Sequence, residues 1–206
     1  MQSEKQNHWT RVYEQKAPAA VSWYQPEPAP SLDALVRFGA SASNSLIDIG
    51  GGASNLVDAL LDLGWTDVTV LDIAAPALEA AKQRLGSEAQ KVQWEIADVT
   101  DWVPSRRYDV WHDRAVFHFL TEPTQRQAYH RALVEGLVSG GLLIIATFAL
   151  DGPDKCSGLP VERYDADRLA SAVGEPFRLI GSWREEHVTP WGASQSFNWC
   201  AFRRFD

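Results

Sequence analysis

From residue 31 onward, strand-length apolar runs alternate with helical periodicity, and that alternation breaks only near the end of the chain. Leu46–Ile49, 68–71, Val92–Ile96, 108–112 and 142–150 read as strands, the last apolar enough to be buried on both faces. Between them, Ser31 caps a helix running to Phe38, which Gly39 ends. Leu56, Val57, Leu60 and Leu61 recur at helical spacing before Gly64, and 76–85 begins with proline and stops at Gly86. Pro123 opens a long helix that Gly140 and Gly141 end, and Asp165 caps another to about Val173. Strands alternating with helices build parallel βαβ units. The runs 177–187 and 195–202, by contrast, are separated only by the turn 188–193, which predicts a hairpin. The expected architecture is α/β: a doubly wound seven-stranded sheet of five parallel strands plus a C-terminal antiparallel hairpin, with helices on both faces.

In such a sheet, ligands bind beyond the carboxyl ends of the strands, where tight turns aim backbone N–H groups and helix N-termini outward. Asp48, Gly50, Gly52 and Ser54 occupy the first of these turns. Gly50 and Gly52 permit unusual backbone angles and close approach of a ligand. Asp72, with Ile73 after it, ends the second strand about 20 residues past Gly52, the spacing at which a carboxylate grips a ribose diol. Asp98 follows the third strand, and Asp98 with Val99 is suited to an adenine edge. A dinucleotide fingerprint wants a third glycine where Asn55 stands. Asp48 is also poorly placed for a pyrophosphate, but suits a ligand carrying an ammonium and a sulfonium. These charges favour S-adenosyl-L-methionine over a nicotinamide dinucleotide.

Composition bounds the alternatives. A chain of 206 residues, 45% hydrophobic and 22% charged, fits one globular domain with a core of its own. Its formal charge of −8, with no Lys/Arg cluster, argues against nucleic acid as a partner. The longest apolar run falls short of the roughly 20 residues that span a bilayer. With a polar N-terminus lacking an export signal, the expectation is a cytoplasmic protein without a membrane partner. Cys156 and Cys200 show no metal-ligand spacing and read as free thiols, so no metal is expected. Residues 1–30, rich in aromatics and then proline, are too few for a core and read as a lid segment on the domain 31–206.

These motifs resemble those of the class I, seven-β-strand S-adenosylmethionine-dependent methyltransferases, along nearly the whole chain. Asp48, Gly50, Gly52 and Ser54 are similar to the family's first motif, with serine where a third glycine often stands. Asp72 resembles the ribose-binding acid, and Asp98 with Val99 the adenine-binding segment. Trp9, Tyr13, Trp23 and Tyr24 are similar to aromatic segments of a subgroup that includes elongation-factor and citrate-synthase lysine methyltransferases. That likeness implies that Trp9 and Tyr13 close over the cofactor. Residues 108–114 are similar to the subgroup's fourth-strand motif, with Arg114 in place of the usual lysine. Arg114 and the run Phe117, His118, Phe119, Leu120 depart from the lysine methyltransferase pattern. The resemblance therefore implies a small-molecule acceptor, with protein lysine as the alternative. A nicotinamide-dependent oxidoreductase and a silent nucleotide-binding module are the readings from other classes.

Methyl transfer from a sulfonium needs alignment, and needs a base only where the nucleophile arrives protonated. Asp113, His112 and His118 fall at the right strand end to act as bases. Asp113 and His118 are taken as the catalytic candidates, with Asp113 also a candidate cofactor contact and His118 an acceptor contact. Since Trp111 and His112 alternate along a strand, only one of them faces the site. The segment 151–160 overhangs the same edge, so Cys156, Arg163 and Tyr164 join Trp23 and Arg114 as candidate acceptor-side residues. Trp183, Trp191 and Trp199 also lie in segments bordering the site, where aromatic faces suit a cation.

Overall fold

A computed structural model describes residues 3–206; the first two residues of the expected lid segment lie outside the described residues. The elements run α1 (Glu4–Gln15), α2 (Ala29–Arg37), β1 (Leu46–Ile49), α3 (Leu56–Asp62), β2 (Val68–Asp72), α4 (Ala75–Leu85) and β3 (Val92–Ile96). They continue through β4 (Tyr108–Arg114), α5 (Pro123–Gly136), β5 (Leu137–Phe148), β6 (Lys155–Cys156), β7 (Leu159–Pro160), α6 (Ala166–Val173), β8 (Phe177–Val188) and β9 (Ser194–Arg204). The main sheet is seven-stranded, in the order β3-β2-β1-β4-β5-β9-β8. β3 through β5 pair in parallel, whereas β9 runs antiparallel to β5 and β8 antiparallel to β9. The expected α/β sheet with its terminal hairpin is therefore present. β1 and β4 lie side by side at the switch in strand order, where the crevice for a ligand opens.

Period-two alternation divides the core between the two faces of this sheet. Leu46, Val70, Val110 and Ile144 pack on one face, and Ile47, Leu71, Trp111 and Ile145 on the other. Burial of both faces explains why the central strands are continuously apolar. Among the described residues, no helix is long and apolar enough to cross a membrane.

Several boundaries differ from the sequence reading, among them the start of β5, at Leu137 rather than Leu142. α2 begins at Ala29, so Ser31 sits inside its first turn rather than at its cap; its buried hydroxyl turns instead to His112. α5 ends at Gly136, four residues before the expected glycine pair. Gly136 is where the backbone crosses the Trp111 ring: a Cβ there would sit 2.8 Å from Trp111 Cζ3. Gly140 and Gly141 lie instead within β5, where its register with β4 is interrupted. β4 runs two residues past its expected end, to Arg114, carrying Asp113 and Arg114 within the strand.

Candidate functional site

A cavity of about 260 Å³ opens at the carboxyl edge of β2, β1 and β4, and it gathers residues from Lys5 to Pro160. Gly50, Asp72, Ile73, Asp98 and Val99 line it from the sheet edge and the loops beyond. Trp9 and Tyr13 of α1 close it from above, beside Trp23, with ring centroids of Trp9 and Trp23 5.7 Å apart. Arg114, Phe119, Cys156, Leu159 and Pro160 line it too, the last three supplied by the β6–β7 hairpin. This joins the sequence-expected Trp9, Tyr13, Gly50, Asp72, Ile73, Asp98 and Val99 to the acceptor-side Trp23, Arg114 and Cys156 in one space.

The glycine turn is held open for a reason. Gly52 has φ +44°, and a Cβ on it would meet Asp72 Oδ2 at 2.8 Å and the Tyr13 hydroxyl at 2.9 Å. A side chain there would fill the gap between the turn and the acid. Arg84 of α4 pins this turn from behind, donating to the carbonyls of Ala53 (3.0 Å) and Ser54 (2.7 Å) while pairing with Asp58. Sequence reasoning missed Arg84, because only the folded chain brings its helix against the turn. The Ser54 hydroxyl accepts from the Leu56 N–H at 3.1 Å, holding the start of α3 rather than facing the cavity.

Asp72 is almost wholly buried, and its Oδ1 accepts from the Ala74 N–H at 2.7 Å. Burial pushes its pKa up to about 7, with nearby Asp48 adding to the rise. A desolvated carboxylate without a cationic partner is a strong acceptor awaiting neutral donors, and a ribose diol supplies two. The open turn at Gly52 and this underpartnered acid both fit S-adenosyl-L-methionine.

Asp48 faces a smaller neighbouring cavity lined also by Tyr13, Ser31, Gly51, His112 and Arg114. Its Oδ1 lies 2.7 Å from His112 Nδ1, and His112 Nε2 lies 3.0 Å from Ser31 Oγ, all three residues being buried. His112 thus fixes the orientation of Asp48, and Ser31 fixes that of His112. Trp111, one residue earlier, points to the opposite face and donates to the Tyr129 hydroxyl.

Asp48 and Ser54 line only the smaller cavity and Gly52 lines neither, and the expected Asp113, His118 and Tyr164 reach neither as well. Asp113 has the parity of Trp111, so it lies under the opposite face of the sheet. Its Oδ1 accepts from the Val116 N–H at 2.9 Å and the Phe117 N–H at 3.3 Å, and its Oδ2 from the Tyr129 hydroxyl at 2.7 Å. His118 is buried between Phe119 and Phe148, with its Nδ1 accepting from the Phe148 N–H at 3.3 Å. Desolvation, with Arg114 assisting, drives its pKa down to about 3, so the ring is neutral near pH 7. Tyr164 is buried against Phe117. Of the tryptophans, Trp199 is core, Trp183 stacks on it, and Trp191 is exposed at the hairpin turn. Arg163 donates to the Gly152 carbonyl and so stabilises the overhanging loop.

The buried neutral His118 makes a stability prediction with a definite sign. Its folded pKa lies below the ordinary 6.5, so between pH 6.5 and 3 the unfolded chain binds the extra proton. This linkage costs the wild type stability as pH falls from 7 to 5, so the Tm of His118→Phe should rise relative to that of the wild type over this range. Parallel Tm curves for the two proteins would show that His118 does not titrate this way.

The fold and this cavity define the class I methyltransferase architecture. A family profile described as a methyltransferase domain matches residues 46–141, the span from β1 into β5. This stretch is a methyltransferase domain, and S-adenosyl-L-methionine is the cofactor of its family. A malonyl-[acyl-carrier protein] O-methyltransferase of Anoxybacillus flavithermus is 31% identical over 116 residues, 56% of this chain. The match spans 43% of that relative, under half of its length. A solved structure from work on converting a disulfide bond into a thioacetal group in echinomycin biosynthesis superposes with a TM-score of 0.77 at 22% identity, covering 97% of this chain and 93% of the other. The N-methyltransferase NodS of Bradyrhizobium japonicum, in complex with S-adenosyl-L-homocysteine, gives 0.71 at 16% identity, covering 96% and 98%. At these identities the solved structures speak to the fold.

Proposed function

We propose that this protein transfers a methyl group from S-adenosyl-L-methionine to a small-molecule nucleophile by in-line displacement. The observation supporting this most directly is that one cavity joins Asp72, Asp98 and the open glycine turn to the separate lining of Trp23, Arg114 and Cys156. Bound there, S-adenosyl-L-methionine supplies a methyl group already activated on a sulfonium. Asp72 accepts the ribose hydroxyls, Asp98 and Val99 hold the adenine edge, and Asp48, oriented by His112, faces the ammonium. Gly50 and Gly52 let the donor approach the backbone. Trp9 and Tyr13 cover it and exclude water, so the chain contributes alignment and desolvation.

Base catalysis finds little support among the residues lining the cavity. Burial raises the pKa of Tyr13 far above its ordinary value and pushes the Cys156 thiol up to about 11, so both stay protonated near pH 7. Asp72 and Asp98 are engaged with the donor on this reading. The acceptor must then be nucleophilic in its own right near neutral pH. A lysine side chain fits poorly, since its ammonium would meet the buried Arg114 cation.

Calorimetric titration with S-adenosyl-L-homocysteine, S-adenosyl-L-methionine and NADH tests the proposal. The two adenosyl ligands should bind and NADH should not. Tight NADH binding with no response to the adenosyl ligands would overturn it.

A further inference from the structure

Arg114 ends β4 at the border of both cavities, with its side chain only 10% exposed. Its Nη1 donates to the Trp23 carbonyl at 3.0 Å. Its Nε and Nη2 are buried without a hydrogen-bond partner. The nearest carboxylate, Glu185, stands 4.0 Å from Nη2, too far for a hydrogen bond. Both Glu185 oxygens are also engaged, Oε1 by Gln25 at 2.9 Å and Oε2 by Trp199 Nε1 at 2.6 Å. Glu185 therefore offsets charge at a distance and leaves one edge of the guanidinium bare. The guanidinium carbon lies over the Phe197 ring, 4.8 Å from its centroid.

A buried guanidinium with N–H groups unmet is costly unless something completes it. Nε and one Nη form the fork that matches two oxygens of a carboxylate or phosphate. The surrounding walls, Trp9, Trp23, Phe119 and Leu159, are apolar. Two strand spacings, roughly 10 Å, separate β2 with Asp72 from β4 with Arg114, which leaves the donor's length between them.

We propose that the methyl acceptor is an apolar or aromatic molecule carrying an oxyanion, and that Arg114 Nε and Nη2 bind this group. The proposal deepens the methyltransferase reading and rests on it for the identity of the second ligand. An oxyanion held by the fork has the lone pairs that face the guanidinium committed, so it serves as the anchor. The atom that receives the methyl group is a different one.

The test uses protein saturated with S-adenosyl-L-homocysteine, titrated with benzoate, phenyl phosphate and the neutral benzamide, and followed by calorimetry and tryptophan fluorescence. Benzoate or phenyl phosphate should bind about tenfold or more tightly than benzamide, and whichever is favoured tells carboxylate from phosphate. Arg114→Gln should erase the preference, and Arg114→Lys, which keeps the charge without the fork, should retain only part of it. Should Arg114→Gln not fold, with Glu185 left unpaired, the Arg114→Gln/Glu185→Gln double variant removes both charges and replaces it. Equal binding of benzoate and benzamide, no binding of either anion, or a preference surviving the loss of Arg114 would overturn the proposal. The S-adenosyl-L-homocysteine titration reports the donor side alone, so failure of the methyltransferase reading is seen separately.

Discussion

Asp72→Asn should melt at a higher temperature than the wild type at pH 8 and yet bind S-adenosyl-L-homocysteine far more weakly. The stability half follows from burial. The Asp72 pKa is raised from 3.8 to about 7, chiefly by desolvation. A carboxyl group raised in this way contributes its full stability below the unfolded value, and that contribution is lost as pH climbs through the folded value. At about 1.36 kcal/mol per pKa unit, ~4 kcal/mol is forfeited above pH 7. Asparagine keeps an oxygen for the Ala74 N–H and carries no charge to bury. The gap in Tm should therefore be small at pH 4, widen to pH 7 and level off, at about 2–4 °C per kcal/mol for a chain of this size. The binding half has the opposite sign. A carboxylate accepts from both hydroxyls of a diol, while an amide accepts from one and opposes the other. Charge-assisted hydrogen bonds are worth about 1.5–3 kcal/mol each, so the loss should be about tenfold or more. Wild-type affinity should also rise from pH 6 to 8 as Asp72 ionises. Thermal melts across pH 4–8 and calorimetry at pH 6 and 8 check both halves. Undiminished affinity in Asp72→Asn would mean that the ribose lies elsewhere.

Such an acid was legible in the sequence because it ends a strand, and strand ends are where a doubly wound sheet presents its ligands. The same logic pointed to Gly50 and Asp98, while the terminal hairpin was legible from two strand-like runs with only a turn between them. It did not extend to β4. Period two says that Val110, His112 and Arg114 share one face and Trp111 and Asp113 the other, but not which face meets α1 and α2. That choice is fixed by partners distant in sequence: Ser31 and Asp48 for His112, Trp23 for Arg114, and Tyr129 for Asp113. Proximity to a strand end therefore drew Asp113 and His118 into the expected site, although one lies under the sheet and the other between two phenylalanines. Arg84 left no local trace either, since its contacts to the glycine turn are made only across the packed helices.

The largest loss of stability is expected at Asp113. Its carboxylate closes a buried chain in which Trp111 Nε1 donates to the Tyr129 hydroxyl at 2.9 Å, and that hydroxyl donates to Asp113. The other carboxylate oxygen holds the turn after β4, where Ala115 takes φ 72° and Val116 reaches the cavity. Asp113→Ala strands the buried Phe117 N–H and Tyr129 hydroxyl and removes the acceptor of the partly buried Val116 N–H. Unmet buried donors cost about 1–3 kcal/mol each, so a total of about 3–5 kcal/mol is expected at pH 4; burial raises the Asp113 pKa to about 6, so this loss should shrink as pH rises through that value. The loss at pH 4 is a large share of the roughly 5–15 kcal/mol by which a domain is stable. Tyr129→Phe leaves the backbone pair satisfied but strands the Trp111 Nε1–H, so it should cost about 1–3 kcal/mol. Asp113→Asn should fall between them, because its amide can accept from the turn but not also from the hydroxyl. Urea unfolding at pH 4, below the raised Asp113 pKa, measures all three, and a double-mutant cycle isolates the Asp113–Tyr129 coupling. Asp113 itself does not line the cavity. If Asp113→Ala unfolded like the wild type while methyl transfer collapsed, Asp113 would be acting in the chemistry after all, and its assignment as the brace of the turn would fall.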